Sequence, residues 1–205
     1  MLFRSWYHYP YQKEHLNKLG FSKLAEWVEY KIKIFSAEEA PEKVKKFSKI
    51  IQERYNLKVV NFKSTKEIIP YVDKMFELLN VTYSNLQTYV TIKQYQIDFY
   101  KEKFIKYIHP DFIKCCLDEN DNLIAFLITM PSFSRALKKI NGKIGLMGYF
   151  HLFKAQHFND RVSLYLIGVD PKYQSKGVTA VIFNELQQTF NNRGIVEVET
   201  NPELV

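Results

Sequence analysis

The stretch "GVDPKYQSKGVTAVIFNEL", residues 168–186, decides how the chain is read. An apolar run ends at Val169, a polar turn follows, and a run with helical apolar spacing starts near Lys176. That pattern is a strand handing over to a helix. The first amides of a helix have no intrahelical partner, and the aligned peptide dipoles add partial positive charge there. Such a helix start is a ready phosphate site that needs no dedicated side chain. Gly177 would let backbone and anion approach closely because no Cβ intervenes. Thr179 and Ala180 are small enough to keep the first turn open. An ordinary strand–helix connection shows such features singly; here they combine as Val-Asp-Pro, an aromatic residue, Gln174 and a glycine three positions later.

Before this stretch, "RVSLYLIGV" at 161–169 predicts a strand. After it, residues 175–194 predict a helix capped by Gly194, and "IVEVET" at 195–200 a last strand. Upstream, "FIKCCLDENDNLIAFLITMP" reads as a hairpin turned by "DENDN". Residues 132–158 read as irregular to helical, punctuated by Gly142, Gly145 and Gly148. Helices are expected over about 10–20, 41–55, 64–83 (with a capping box from Ser64 and Glu67) and 91 to Pro110. Strands are expected from Trp27 to Ile34, where apolar residues alternate with charge, and over 57–63. The class is α/β or α+β: a mixed, mainly antiparallel twisted sheet flanked by helices.

The chain has 205 residues, 46% hydrophobic and 16% aromatic, with only seven glycines and seven prolines. That composition suits a packed core and is one few disordered chains have. The net charge of +7 is spread along the sequence. It reads as a solvated lysine-rich surface, with no nucleic-acid recognition motif beside it. No stretch is long and apolar enough to cross a bilayer, the start lacks a signal-peptide core, and a cytoplasmic protein is expected. Cys115 and Cys116 are adjacent, so a strand would point them to opposite faces as two buried thiols rather than metal ligands. His109, His151 and His157 have no metal-binding spacing, and no metal is expected.

The turn resembles the pyrophosphate loop of GNAT-type N-acetyltransferases, [QR]-x-x-G-x-[GA]. Here it reads Gln174-Ser175-Lys176-Gly177-Val178-Thr179, with Thr179 replacing the usual small glycine or alanine. The lead-in "LYLIGVDPKYQ" is similar to the family's V-x-P-x-[YF]-[QR] turn. The likeness is specific from about Phe112 to Leu204. Over its whole length the chain is most similar to a bacterial GNAT-like group with longer chains, which shares text such as "EHLxKLG", "ITMPSxSRAL" and "NPEL". The resemblance implies an acyl-CoA-dependent N-acyltransferase that moves an acyl group, acetyl in the first instance, to an amine acceptor. It implies that Leu166, Ile167, Gly168 and Val169 pair with the pantetheine arm, and that the amides of Gln174 to Thr179 hold the pyrophosphate. It implies that Asn201 lies near the cofactor, and that the fourth and fifth strands of the family splay apart around the thioester. The Val169 amide would polarise the carbonyl. Tyr165 and Tyr173 read as packing residues.

Both ends fall within family text, so the chain is expected to be a piece of a longer two-part protein lacking the last helix and strands of its second half. The expected division is 1–35 as a helix–strand tail of a preceding half, 36–56 as a connecting helix, and 57–205 as the acyl-CoA-binding domain. An open sheet edge after the last strand would invite self-association. Glu197, Glu199 and Asp170 are candidate general bases, each equally readable as a solvated carboxylate. Arg135, Lys138 and Lys139 could reach a phosphate, or form a solvated helix face. No general acid is assignable and the acceptor stays unidentified. The alternative function is a non-catalytic GNAT-like module that binds coenzyme A or a partner protein.

Overall fold

Local chemistry turns the central hairpin. Asp118 accepts from the amides of Asn120 and Asn122 at 2.9 Å each, and Asp121 takes a left-handed φ of 59°. The structure is a computed structural model that describes residues 9–36, 38–39, 41–86, 89–103, 105, 108–141 and 145–204. The end of the helix expected before Pro110 and the glycine at 142 fall partly or wholly outside those residues. The elements are α1 (Pro10–Lys18), β1 (Trp27–Val28), β2 (Lys31–Lys33), α2 (Glu42–Arg54), β3 (Lys58–Asn61), α3 (Thr65–Tyr83), α4 (Gln94–Lys103), β4 (Ile113–Leu117), β5 (Leu123–Pro131), α5 (Ser134–Lys139), α6 (Leu146–His157), β6 (Arg161–Val169), α7 (Val178–Asn192), β7 (Glu197–Thr200) and β8 (Glu203–Leu204).

Two compact units divide the chain, Tyr30–Asn201 and the smaller Met1–Glu29 with Pro202–Val205. Within the smaller unit β1 pairs antiparallel with β8. The larger unit holds a six-stranded sheet in the order β2-β7-β6-β5-β4-β3. The β6–β7 pair is parallel, and every other neighbour is antiparallel. This is the mixed, mainly antiparallel sheet expected from the residues.

The sheet buries both faces. Leu127, Ala125 and Cys116 pack with Val181, Ile182 and Leu186 of α7 and Ile51 of α2. Phe126, Ile113 and Cys115 pack on the other side with Ile68, Val72 and Met75 of α3. The two adjacent thiols thus enter different cores, as strand alternation requires. Burial favours the neutral thiol at both, pushing Cys116 up to about 12 and Cys115 higher still. Neither thiol should react with a disulfide reagent at pH 8 in the folded chain, and both should react at once in denaturant. Fast labelling of the native protein would mean that β4 opens locally.

Two expectations change. The strand expected from Trp27 to Ile34 is two short strands in different sheets. Tyr30 interrupts it: its amide donates to Thr200 Oγ1 and its carbonyl accepts from the Thr200 amide, both at 2.9 Å. Nor is β2 half-buried, since Lys31, Ile32 and Lys33 are all exposed. The second change concerns the sheet edge. β7 was expected to leave one open, but β2 covers it, pairing Lys31, Ile32 and Lys33 with Glu199, Val198 and Glu197. The new edge is three residues long and carries two lysines, both features that discourage further strand addition.

The α3 start also differs in detail. Glu67 reaches back to the Lys63 amide at 2.9 Å and to the Ser64 hydroxyl at 3.3 Å, while Ser64 itself makes no side-chain cap. Pro70 lies in the second turn of this helix.

Candidate active site

The site begins with one extra residue. Ile128 pairs with Leu166 but Thr129 pairs with Leu164, so Tyr165 is bulged out of the β5–β6 register. A bulge bends its strand and sharpens the twist. Beyond it, β6 leaves its parallel partner: β7 pairs with Arg161 to Leu164 and no further. Among the described residues no strand covers the other edge of β6 from Tyr165 to Val169.

The register says which groups face that open edge. Ala125 lies opposite Val169, and the Asp170 amide donates to Ile124 O at 2.8 Å. Val169 is therefore a non-hydrogen-bonded pair, so its N–H and C=O point away from β5, and Ile167, two residues earlier, does the same. The two carbonyls have partners. Val169 O accepts from Thr82 Oγ1 at 3.1 Å and from Gln174 Nε2 at 3.2 Å; Ile167 O accepts from the Tyr83 hydroxyl at 2.9 Å. Among the described residues the amides of Ile167 and Val169 have none. Asn201 closes the near end of the gap, donating from Nδ2 to Tyr165 O at 3.0 Å.

At the far end β6 runs into the turn. The Tyr173 and Gln174 amides donate to Asp170 O, and the Lys176 amide to Tyr173 O. Among the described residues, the amides of Ser175, Gly177, Val178 and Thr179 donate to nothing. Ser175 (φ 59°) and Gly177 (φ 80°) are both left-handed, and such kinks fan successive amides outward into an anion-binding concavity. No acidic residue stands in the first turn of α7 to compete with an anion. The Lys176 ammonium is held back over the rings of Tyr173 and Tyr55, 5.1 and 5.5 Å from their centroids.

Gly177 has a reason the sequence did not reveal. A Cβ there would lie 2.9 Å from the Phe47 ring and 3.2 Å from Ile51 Cγ1, both on α2. The missing side chain thus makes room for a helix. At Gly168 a Cβ would meet the Phe126 ring at 2.5 Å.

No protein-family model matches the sequence, and no curated protein matches it. Solved structures do resemble the fold. The C-terminal domain of a protein assigned as a lysylphosphatidylglycerol synthetase in Agrobacterium fabrum superimposes with a TM-score of 0.50 at 9% identity, over 93% of this chain and 51% of that one. The fold is GNAT-like. L-PGS from Bacillus licheniformis gives a TM-score of 0.46 at 12% identity, covering 94% of this chain and 50% of that chain. A GCN5-related N-acetyltransferase from Sphaerobacter thermophilus gives 0.47 at 8%, covering 95% and 56%. The chain spans about half the length of each of the first two, and at such identities the likeness concerns the fold alone.

Within this GNAT-like fold the expected cofactor residues come together. Leu166 to Val169 form the open edge, Gln174 to Thr179 the turn, and Asn201 the far side of the gap. Of the candidate bases, Glu197 and Glu199 stand apart from them, while Asp170 lies between the strand edge and the turn. Glu197 Oε1 lies 2.8 Å from the Arg161 guanidinium. Glu199 accepts from Ser132 Oγ at 2.9 Å and sits 3.6 Å from the Lys31 ammonium. Asp170 accepts from the Lys172 amide at 2.8 Å. Arg135 is paired with Asp160 at 2.9 Å. Tyr173 packs against the core, while Tyr165 is a half-exposed wall residue of a cavity. Among the described residues no group of three or more His, Cys, Asp or Glu is placed to hold a metal. Thr82, Tyr83 and Phe47 went unnoticed in the sequence, since nothing local marks residues that act on a segment about 85 to 130 positions away.

Proposed function

We propose that the chain is the acyl-CoA-binding part of an N-acyltransferase. One observation carries this: four unpartnered amides at the start of α7 adjoin a strand edge, bared by a bulge, that offers two more. The amides of Ser175, Gly177, Val178 and Thr179 would hold the diphosphate, with the helix dipole adding to the attraction. The amide of Val169, next to the turn, would take the amide-bearing arm, with Thr82, Tyr83 and Gln174 fixing the carbonyls of Ile167 and Val169. A bound acyl-CoA would supply an activated acyl group: the amine nitrogen bonds to the acyl carbon, the C–S bond breaks, and the proton lost by nitrogen ends on sulfur. In that step the Ile167 amide, farther from the turn than that of Val169, would donate to the carbonyl oxygen as negative charge builds on it. Acetyl-CoA is the first donor to try, and the acceptor is an amine of unassigned class.

A second reading, a GNAT-like module that binds without turnover, is favoured by the ion pairs and hydrogen bonds that occupy Glu197 and Glu199. Calorimetric titration with coenzyme A and acetyl-CoA should give saturable one-to-one binding that weakens as salt rises. The absence of any heat or thermal shift with either would remove both readings. Binding with no thiol release across a panel of amines would select the second.

A further inference from the structure

The α3 side of the sheet carries an apolar cavity of about 380 Å³, partly open to solvent. Its walls include Val72, Met75 and Leu79 of α3, Phe126 and Ile128 of β5, and Leu166 of β6. The volume lies within the ~300–1,000 Å³ range of ligand pockets. Taking each heavy atom to fill roughly the 30 Å³ of a liquid water molecule, it has room for about a dozen. Water is a poor occupant, because a buried water needs two or more polar partners. Among the described lining residues Lys101 alone is charged, and its ammonium is bound to Asp73 at 2.6 Å. No free charge faces the interior to receive a polar ligand.

Its position ties the cavity to the reaction. Alternation would send Tyr165 and Leu166 to opposite faces of the sheet, but the bulge brings both into the cavity wall. The next residue, Ile167, presents its amide to the open edge. The cavity lining and the open edge are therefore supplied by consecutive residues of β6.

Resting on the acyl-CoA reading above, we propose that this cavity receives the acyl chain of the donor thioester, and that the preferred donor carries an unbranched aliphatic chain of about eight to ten carbons rather than acetyl. Acetyl would leave the cavity empty. Each methylene that enters it should tighten binding about fourfold at most, so the gain should be cumulative along the chain.

The test is a titration series on the full chain with coenzyme A, acetyl-CoA, hexanoyl-CoA and decanoyl-CoA, alongside free decanoate and decylamine. Decanoyl-CoA should bind at least ~100-fold tighter than acetyl-CoA, with hexanoyl-CoA between. Leu79→Trp, which fills the cavity, should bring decanoyl-CoA down to the acetyl-CoA level and leave acetyl-CoA unchanged. Val72→Phe should do so in part, and thermal unfolding checks that each variant folds. Equal affinity of the wild type for acetyl-CoA and decanoyl-CoA overturns this proposal and leaves the acyl-CoA reading standing. Failure of every coenzyme A compound to bind overturns both. Binding of decylamine in competition with no acyl-CoA, while chain length has no effect, assigns the cavity to the acceptor and overturns the donor as its source.

Discussion

Gly177→Ala is expected to cost about 1–3 kcal/mol of stability and to weaken coenzyme A binding in the same variant. Two separate costs add. A φ of 80° is left-handed, and a Cβ there costs roughly 1–2 kcal/mol. The same Cβ would sit 2.9 Å from the tip of the Phe47 ring, which is about half exposed and can swing aside, so the steric part adds at most about 1 kcal/mol. The variants that separate them are simple. Adding Phe47→Ala should recover the steric part and leave the conformational part. Gly177→Asn, which tolerates the left-handed region better, should lose less of the conformational part but still strike α2. Urea unfolding measures each stability, and titration at a temperature where each variant is folded measures binding. If Gly177→Ala lies within about 0.5 kcal/mol of the parent, the turn relaxes freely and the amides are not held in the fan described.

Gly168→Ala should cost about 1–3 kcal/mol for a different reason. Here the backbone is extended, so no conformational strain enters. The added Cβ would meet Phe126 Cε1 at 2.5 Å across the β5–β6 pair. Phe126 is almost wholly buried and lines the cavity, the open space beside it into which its ring can shift. The stability loss should therefore be partly relieved while the cavity narrows. Phe126→Leu in the same chain should make the double variant less damaged than the sum of the two single ones. Strict additivity would show that the ring does not respond to residue 168.

The site was legible where its signal is local. Val-Asp-Pro, Gln174, Gly177 and the apolar run after it stand within a dozen residues, so strand, turn and helix start could be read together. The "DENDN" turn was legible because Asp118 bonds amides two and four residues away. The strand from Trp27 was misread for the opposite reason. Its alternation is real, but what splits it is Thr200, 170 residues along the chain. Glu197 and Glu199 looked available because Arg161, Lys31 and Ser132, which occupy them, are remote in sequence.

Hydrophobic spacing, helix-start chemistry and turn residues thus determined, from the sequence alone, the elements, the mixed sheet class and the turn before α7. These signals act over a few residues and survive without any partner. Only the tertiary structure decided that β2 covers β7, that Tyr165 is bulged out of register, and that α2 stands against Gly177. It also placed an apolar cavity behind the open edge. Strand pairing and cavity shape come from contacts between distant segments, where each residue's role is set by what packs on it and not by its neighbours in the chain.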